Sequence, residues 1–380
     1  MSRLKVALFT GNYNHIRDGV SLTLNRLVGF LLENNVDVLV FGPTIKKPDL
    51  EHNGTLIGVP SKKMPGRPEY RITTKFPDDA KQQLIAFNPD LVHVATPDLL
   101  GYKALKWALT NDIPVVSSYH THFSSYLKYY KLTLFEPLLW RYLRWFYSKC
   151  KQIYVPTVSM AEELKSKKID GNLKIWARGV NVQQFNPQWR SDDWRKSKGF
   201  DAEDIVITFI SRLVWEKNLH LFADVLKRLQ KKHKNVKALV VGDGPAGPEM
   251  KEILPHAVYT GFLKDEELAK AYASCDIFFF PSDTETFGNV TLEAMASGLP
   301  CVVADAAGSK SLVEHNQNGF LADVDRSDHF YDYIEKLIHD ENLRRQMSEA
   351  SFQKAKEYSW KNINSKLLGY YKEVLDQKKV

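Results

Sequence analysis

Two pairs of side chains have types and spacings suited to a charged, hydroxylated small molecule. Arg212 and Lys217 share one polar loop, 211–218, directly after an apolar run. An arginine fork can take two phosphate oxygens and a lysine adds a point charge, so the pair suits a diphosphate. Read alone, both can equally face water, or one can pair with Glu216. Glu285 and Glu293 stand eight apart in the stretch PSDTETFGNVTLEAMASGLP, 281–300. On one helix they would be roughly 80° apart about the axis. The intervening Phe287-Gly288-Asn289 predicts instead that Glu285 lies in a loop and Glu293 inside a helix beginning near Asn289. Carboxylates repel a diphosphate but accept the hydroxyls of a vicinal diol, which sugars and ribose both carry. The free N–H groups at that helix start, 288–290, suit a phosphate. Two solvated surface glutamates are the plain alternative.

Other candidates are weaker in isolation. Gly19 precedes a helical pattern, where an anion is favoured, or forms an ordinary turn. Gly242-Asp243-Gly244-Pro245 closes an apolar run, and glycine there lets a ligand approach the backbone or simply makes a tight turn. His120 and His122 form an H-x-H without an evident third ligand, and Asp323-Val324-Asp325 is formally a D-x-D. The expectation is no metal and no cofactor. Neither G-x-G-x-x-G nor a P-loop pattern occurs in the first loop, 10–21.

These loops all follow short apolar runs. Strands are predicted at 5–10, 36–41, 90–94, 114–118 and 153–156, with helices at 21–34, 99–110 and 159–167. A second series starts afresh: strands at 205–210, 236–241, 277–280 and 302–303, with helices at 219–233, 265–274 and 290–297. Strand–helix alternation implies parallel sheets, whose ligands sit beyond the carboxyl ends of the strands. The stretch 185–204, with Pro187, Trp189 and Trp194, reads as a passage between two domains. The tail 330–377 reads as helices.

The chain has 380 residues, 44% hydrophobic and 26% charged, which excludes disorder as the dominant state and predicts two domains. No apolar run approaches the roughly 20 residues of a spanning helix. Three cysteines without paired spacing argue against a disulfide framework and fit a cytoplasmic setting. The net charge of +7 permits phosphorylated ligands, anionic lipid or nucleic acid and selects none. One segment is distinctive: 119–147 interleaves nine aromatics, from Phe123 to Phe146, with Lys128, Lys131, Arg141 and Arg144 against the single acid Glu136. Such a run suits a bilayer interface or single-stranded nucleic acid, or supplies ordinary core. Lys128, Lys131, Trp140, Arg141, Arg144 and Trp145 are the membrane-facing candidates.

Taken in order, Ser118-Tyr119-His120-Thr121-His122, Arg178-Gly179-Val180-Asn181, Arg212 to Lys217, Val241-Gly242-Asp243-Gly244-Pro245 and Glu285 to Glu293 resemble the motifs of the family 4 retaining glycosyltransferases of GT-B fold, across essentially the whole chain. The resemblance implies an α/β protein of two Rossmann-like domains facing a cleft: an acceptor-side domain at 1–185, on which a terminal helix near 360–380 packs, and a nucleotide-sugar domain at 200–355. It implies metal-independent transfer of a hexosyl unit from a UDP- or GDP-linked sugar, with retention. Arg212 and Lys217 match the diphosphate clamp. Glu293 matches the ribose ligand, and Glu285 with Phe287, Gly288 and Asn289 matches the group holding the sugar. Gly19, Gly242 and Asp243 fall among the donor contacts, and His120 and Arg178 near the transferred sugar. Ser211 and Asn181 depart from residues frequent in the family. The run 120–130 is similar to that of transferases making sulfoquinovosyl, glucosyl or mannosyl lipids, which implies a lipid acceptor, reversible contact with the inner membrane face, and no nucleic-acid partner. Another GT-B activity, a nucleotide-sugar epimerase or a phosphorylase, is the alternative; a basic nucleic-acid-binding protein ranks last.

Overall fold

The structure, a computed structural model, describes the chain except residues 1–2, 66, 120–135, 286, 307 and 378–380. It forms two compact units, Met1–Ala177 with Lys361–Val380, and Arg178–Trp360. The first contains β1 (Lys5–Phe9), α1 (Gly19–Glu33), β2 (Asp37–Pro43), β3 (Thr55–Val59), β4 (Ser61–Met64), β5 (Arg67–Thr73), α2 (Asp78–Phe87), β6 (Leu91–Val94), α3 (Leu99–Thr110), β7 (Val115–Ser118), α4 (Glu136–Tyr147), β8 (Gln152–Val155), α5 (Val158–Ser166) and β9 (Leu173–Ile175). Its parallel sheet has the order β3-β2-β1-β6-β7-β8-β9, and β4 and β5 form a separate antiparallel hairpin.

The second unit contains α6 (Asp192–Ser197), β10 (Ile205–Ile210), α7 (Leu219–Lys232), β11 (Val236–Val241), α8 (Gly247–Ile253), β12 (Val258–Gly261), α9 (Asp265–Ala273), β13 (Ile277–Phe280), α10 (Asn289–Ala296), β14 (Cys301–Ala304), β15 (Gly319–Ala322), α11 (Ser327–His339) and α12 (Glu341–Glu357). Its parallel sheet runs β12-β11-β10-β13-β14-β15. Every residue of β10 and β13 is buried, because helices cover both faces; this is why they read as unbroken apolar runs. Strand order reverses between β10 and β13, and likewise between β1 and β6. Loops leaving such a pair diverge and open a crevice at the carboxyl ends. The last helix, α13 (Trp360–Asp376), lies on the first unit: Tyr370 bonds to the Ile175 carbonyl and Gln152 to Glu373.

The stretch 185–204 is not a passage between units. The Phe185 ring meets Tyr272 edge-on at 5.5 Å, Trp194 is buried, and Arg190 and Arg195 both hold Asp276 at 2.9 and 3.0 Å. The chain instead changes units at 177/178 and 360/361. There Val180 bridges to Ser359, and a Cβ on Gly179 would lie 2.6 Å from the Trp360 ring.

Candidate functional site

The loops after β10 and β13 meet. The Lys217 ammonium lies 2.6 Å from Glu285 Oε1 and donates to Thr284 Oγ1 at 3.1 Å. Beside it, Asn218 takes φ 56° and donates to the Pro281 carbonyl at 2.8 Å, fastening one loop to the other. The two loops therefore share one ion pair, with both partners about four-fifths buried (18% and 20% exposed). Arg212 is exposed and its guanidinium has no protein partner among the described residues. Gly288, at φ 90°, starts α10, and among the described residues no side chain caps that helix. The Thr291 hydroxyl in its first turn is buried without a hydrogen-bond partner among the described residues. Phe287 is buried against Tyr358, and Gly308 presses on the Glu285 backbone, where a Cβ would lie 2.6 Å from its carbonyl oxygen. The arrangement presents an exposed cation, a second cation at a carboxylate and a bare helix start.

Gly242 and Gly244 brace this seam from behind. A Cβ on Gly242, at φ 125°, would lie 2.0 Å from the Ser211 carbonyl oxygen, and one on Gly244 would lie 2.2 Å from that of Leu213. The Leu213 N–H donates to the Asp243 carbonyl at 3.0 Å. The Asp243 carboxylate accepts from the Phe262 N–H at 2.8 Å, so it ties the loop after β12. Glu293 sits inside α10 and its Oε2 accepts from the Tyr272 hydroxyl at 3.0 Å. Burial holds the Tyr272 phenol well above its ordinary range, so it stays a donor to Glu293. Sequence reasoning missed Tyr272, Thr284 and Asn218. Tyr272 on amphipathic α9 carries no motif, though Asn218 opening a helix was a visible signal.

In the first unit, Gly19 opens α1 behind a capping box: Asp18 Oδ1 accepts from the Ser21 N–H at 2.8 Å and Ser21 Oγ from the Asp18 N–H at 2.9 Å. A Cβ on Gly19 would meet nothing within 4 Å, so the position leaves open space. Arg178 is half-buried at the start of the second unit. His120, His122, Lys128 and Lys131 lie outside the described residues. One membrane-face candidate is corrected: Trp140 is 5% exposed, its indole donating to Glu136 and its ring under Lys167. Arg144 is half-buried, donating to the Lys167 carbonyl. Leu138, Arg141 and Trp145 form the exposed stripe, and the Trp145 ring lies tilted against Tyr102 of α3 at 5.7 Å between centroids. The D-x-D is a turn, with Asp323 Oδ1 accepting from the Asp325 N–H.

Residues 17–184 match the family Glycosyltransferase Family 4, and residues 190–354 match Glycosyl transferases group 1. A GDP-mannose-dependent alpha-mannosyltransferase of Mycobacterium tuberculosis is 30% identical, covering 98% of each chain. An alpha-monoglucosyldiacylglycerol synthase of Streptococcus pneumoniae is 28% identical over 84% of this chain and 75% of its own. Among solved structures, a sucrose-phosphate synthase from Thermosynechococcus elongatus has the same fold at TM-score 0.73 and 16% identity, covering 99% of this chain and all of its own.

Proposed function

The chain belongs to the family 4 glycosyltransferases of GT-B fold, and on that premise we propose that it moves a hexosyl unit from a UDP- or GDP-linked sugar to a membrane lipid, with retention, forming an α-glycosidic bond. The observation that carries this reading is the Lys217–Glu285 pair at the β10/β13 reversal, beside the uncapped start of α10. A diphosphate held by Arg212 and the α10 N–H groups reaches Lys217, and Glu285 then stands at the sugar end. As the glycosidic bond breaks, charge grows on the leaving diphosphate. Fixed donors already aimed at it stabilise the transition state without reorganising. Arg212, Lys217 and the helix start supply that positive charge, so the reaction needs no divalent ion. Glu293, oriented by Tyr272, accepts the ribose hydroxyls. The acceptor hydroxyl attacks from the face that the diphosphate leaves, and no protein nucleophile takes part.

The named relatives that use GDP-mannose or build a diacylglycerol glycoside support a sugar nucleotide donor and a lipid acceptor. An exposed surface of mixed apolar and basic side chains on the first unit supports the latter. Leu138 (61% exposed), Trp145 and Arg141 on α4 adjoin Leu99, Lys103 and Lys106 on α3 through the Trp145–Tyr102 contact. Apolar side chains ringed by cations are what an anionic headgroup layer takes. Among the described residues no helix is long and apolar enough to cross a membrane; attachment through the cations of this face is salt-sensitive.

The test is a thermal-shift screen of UDP- and GDP-sugars, followed by turnover of the stabilising donor with lipid vesicles in EDTA. A stabilising sugar nucleotide consumed only with vesicles supports the proposal. Conversion of the donor without acceptor indicates an epimerase instead.

A further inference from the structure

On the opposite edge of the second unit, His233 follows α7, and Glu335 and His339 stand one turn apart near the end of α11. We propose that these three side chains form a binding site for a transition-metal ion of the zinc class, separate from the transfer reaction. Their ligand atoms all lie within 4.8 Å of one another. Tetrahedral ligands at about 2.0–2.1 Å from zinc are about 3.4 Å apart. The His233 Nε2 to Glu335 Oε1 separation, 3.2 Å, already matches that edge. To close the third corner the exposed His339 imidazole must swing in and the Lys232 ammonium must leave Glu335 Oε1; His339 already packs edge-on to His233 at 5.0 Å between ring centroids.

The surroundings fit a metal ligand set. The Glu335 carboxylate now accepts from the Lys232 ammonium at 2.8 Å. Tyr331 donates to Glu335 at 2.8 Å and can stay as the outer partner that orients the carboxylate. Lys232 is 57% exposed and can release Glu335 into water without leaving a buried charge. His339 is exposed and also lines an open groove of about 570 Å³ with Asn235, Ile338 and Arg344, so solvent reaches the third ligand. Two imidazoles and a carboxylate leave the fourth position for water.

The placement argues against a catalytic role. Helix α7 starts just after Asn218 at the carboxyl edge of the sheet and carries the chain about 20 Å to the other edge before His233, at 1.5 Å per residue. A bound ion would staple the end of α7 to α11.

Calorimetric titration of the untagged full chain with ZnCl₂ tests the site. The expected result is one equivalent bound with micromolar affinity, weakened at least tenfold in His233→Ala and in His339→Ala, and unchanged in the double variant His120→Ala/His122→Ala. MgCl₂ gives no binding isotherm, and His339→Ala leaves donor turnover in EDTA unaltered. Because His339 is exposed, its variant decides the matter should His233→Ala fail to fold. Absence of zinc binding by the wild type, or a wild-type isotherm in His339→Ala, overturns the proposal.

Discussion

His93 sits in the middle of β6 with no solvent exposure, its Nδ1 bonded to the Tyr371 hydroxyl of α13 at 2.6 Å and its Nε2 to the Ser118 hydroxyl. The rings of Tyr154, Trp176 and Tyr371 enclose it edge-on at 5.7–6.0 Å. Burial lowers its pKa from 6.5 to about 3, so the folded chain keeps it neutral. The unfolded chain binds the proton first. Stability due to this neutral imidazole is therefore complete above pH 6.5 and drains away as the pH falls towards 3. Each pH unit in that window costs about 1.4 kcal/mol, so acidification to pH 5 removes about 2 kcal/mol. Urea unfolding at pH 7.5 and pH 5 should show this drop in the wild type in excess of that in His93→Gln, whose amide supplies a donor and an acceptor without titrating. Other titrating groups cancel in the comparison. Parallel stability–pH curves for the two proteins would refute the reasoning.

Arg212→Ala and Lys217→Ala should each lower kcat/KM for the donor by about 10²–10³, read by steady-state kinetics; calorimetry should find the midpoint of the exposed Arg212 variant within a degree or two of wild type and that of Lys217→Ala lowered, because Glu285 loses its cation. Glu293→Gln and, more weakly, Tyr272→Phe should loosen binding of the free nucleoside diphosphate, whereas Glu285→Gln should leave it nearly unchanged; titration calorimetry separates the two. Gly242→Ala should destabilise the second unit by about 2–4 kcal/mol through strain and overlap with Ser211, visible as a lowered melting temperature. Binding to anionic vesicles should fall in Arg141→Glu and in 0.5 M salt (about 4 Å Debye length), measured by co-sedimentation.

The fold was legible where burial is two-sided. Runs such as 205–210 and 277–280 have one reading in a parallel sheet, and the helix expected at 219–233 spans Leu219–Lys232. The β4–β5 hairpin was not foreseen because its residues are mostly polar and only one is buried, leaving no apolar alternation to read. The passage 185–204 misled through composition: proline, tryptophan and charge look like a linker, but Arg190 and Arg195 find Asp276 more than 80 residues away. In the site, residue types were readable and pairings were not. Lys217 and Glu285 are 68 residues apart, and only the strand order brings their loops together. The glycines at 242 and 244 could be read as a ligand approach or a tight turn; the close neighbouring-loop backbone that also requires them was not readable. The outward face of α4 was recoverable, since Trp140, Leu143 and Tyr147 follow one helical stripe and Leu138, Arg141 and Trp145 the other.

The most direct measurement is the product itself, analysed by proton NMR after incubating the chain in EDTA with GDP-mannose or UDP-glucose, both α-linked donors, and vesicles of anionic phospholipid and diacylglycerol. The account predicts that nucleoside diphosphate and an α-linked glycolipid appear in equal amounts, and that Lys217→Ala suppresses both. A β-linked glycolipid, an epimerised donor without transfer, or full activity in the Lys217 variant would contradict it.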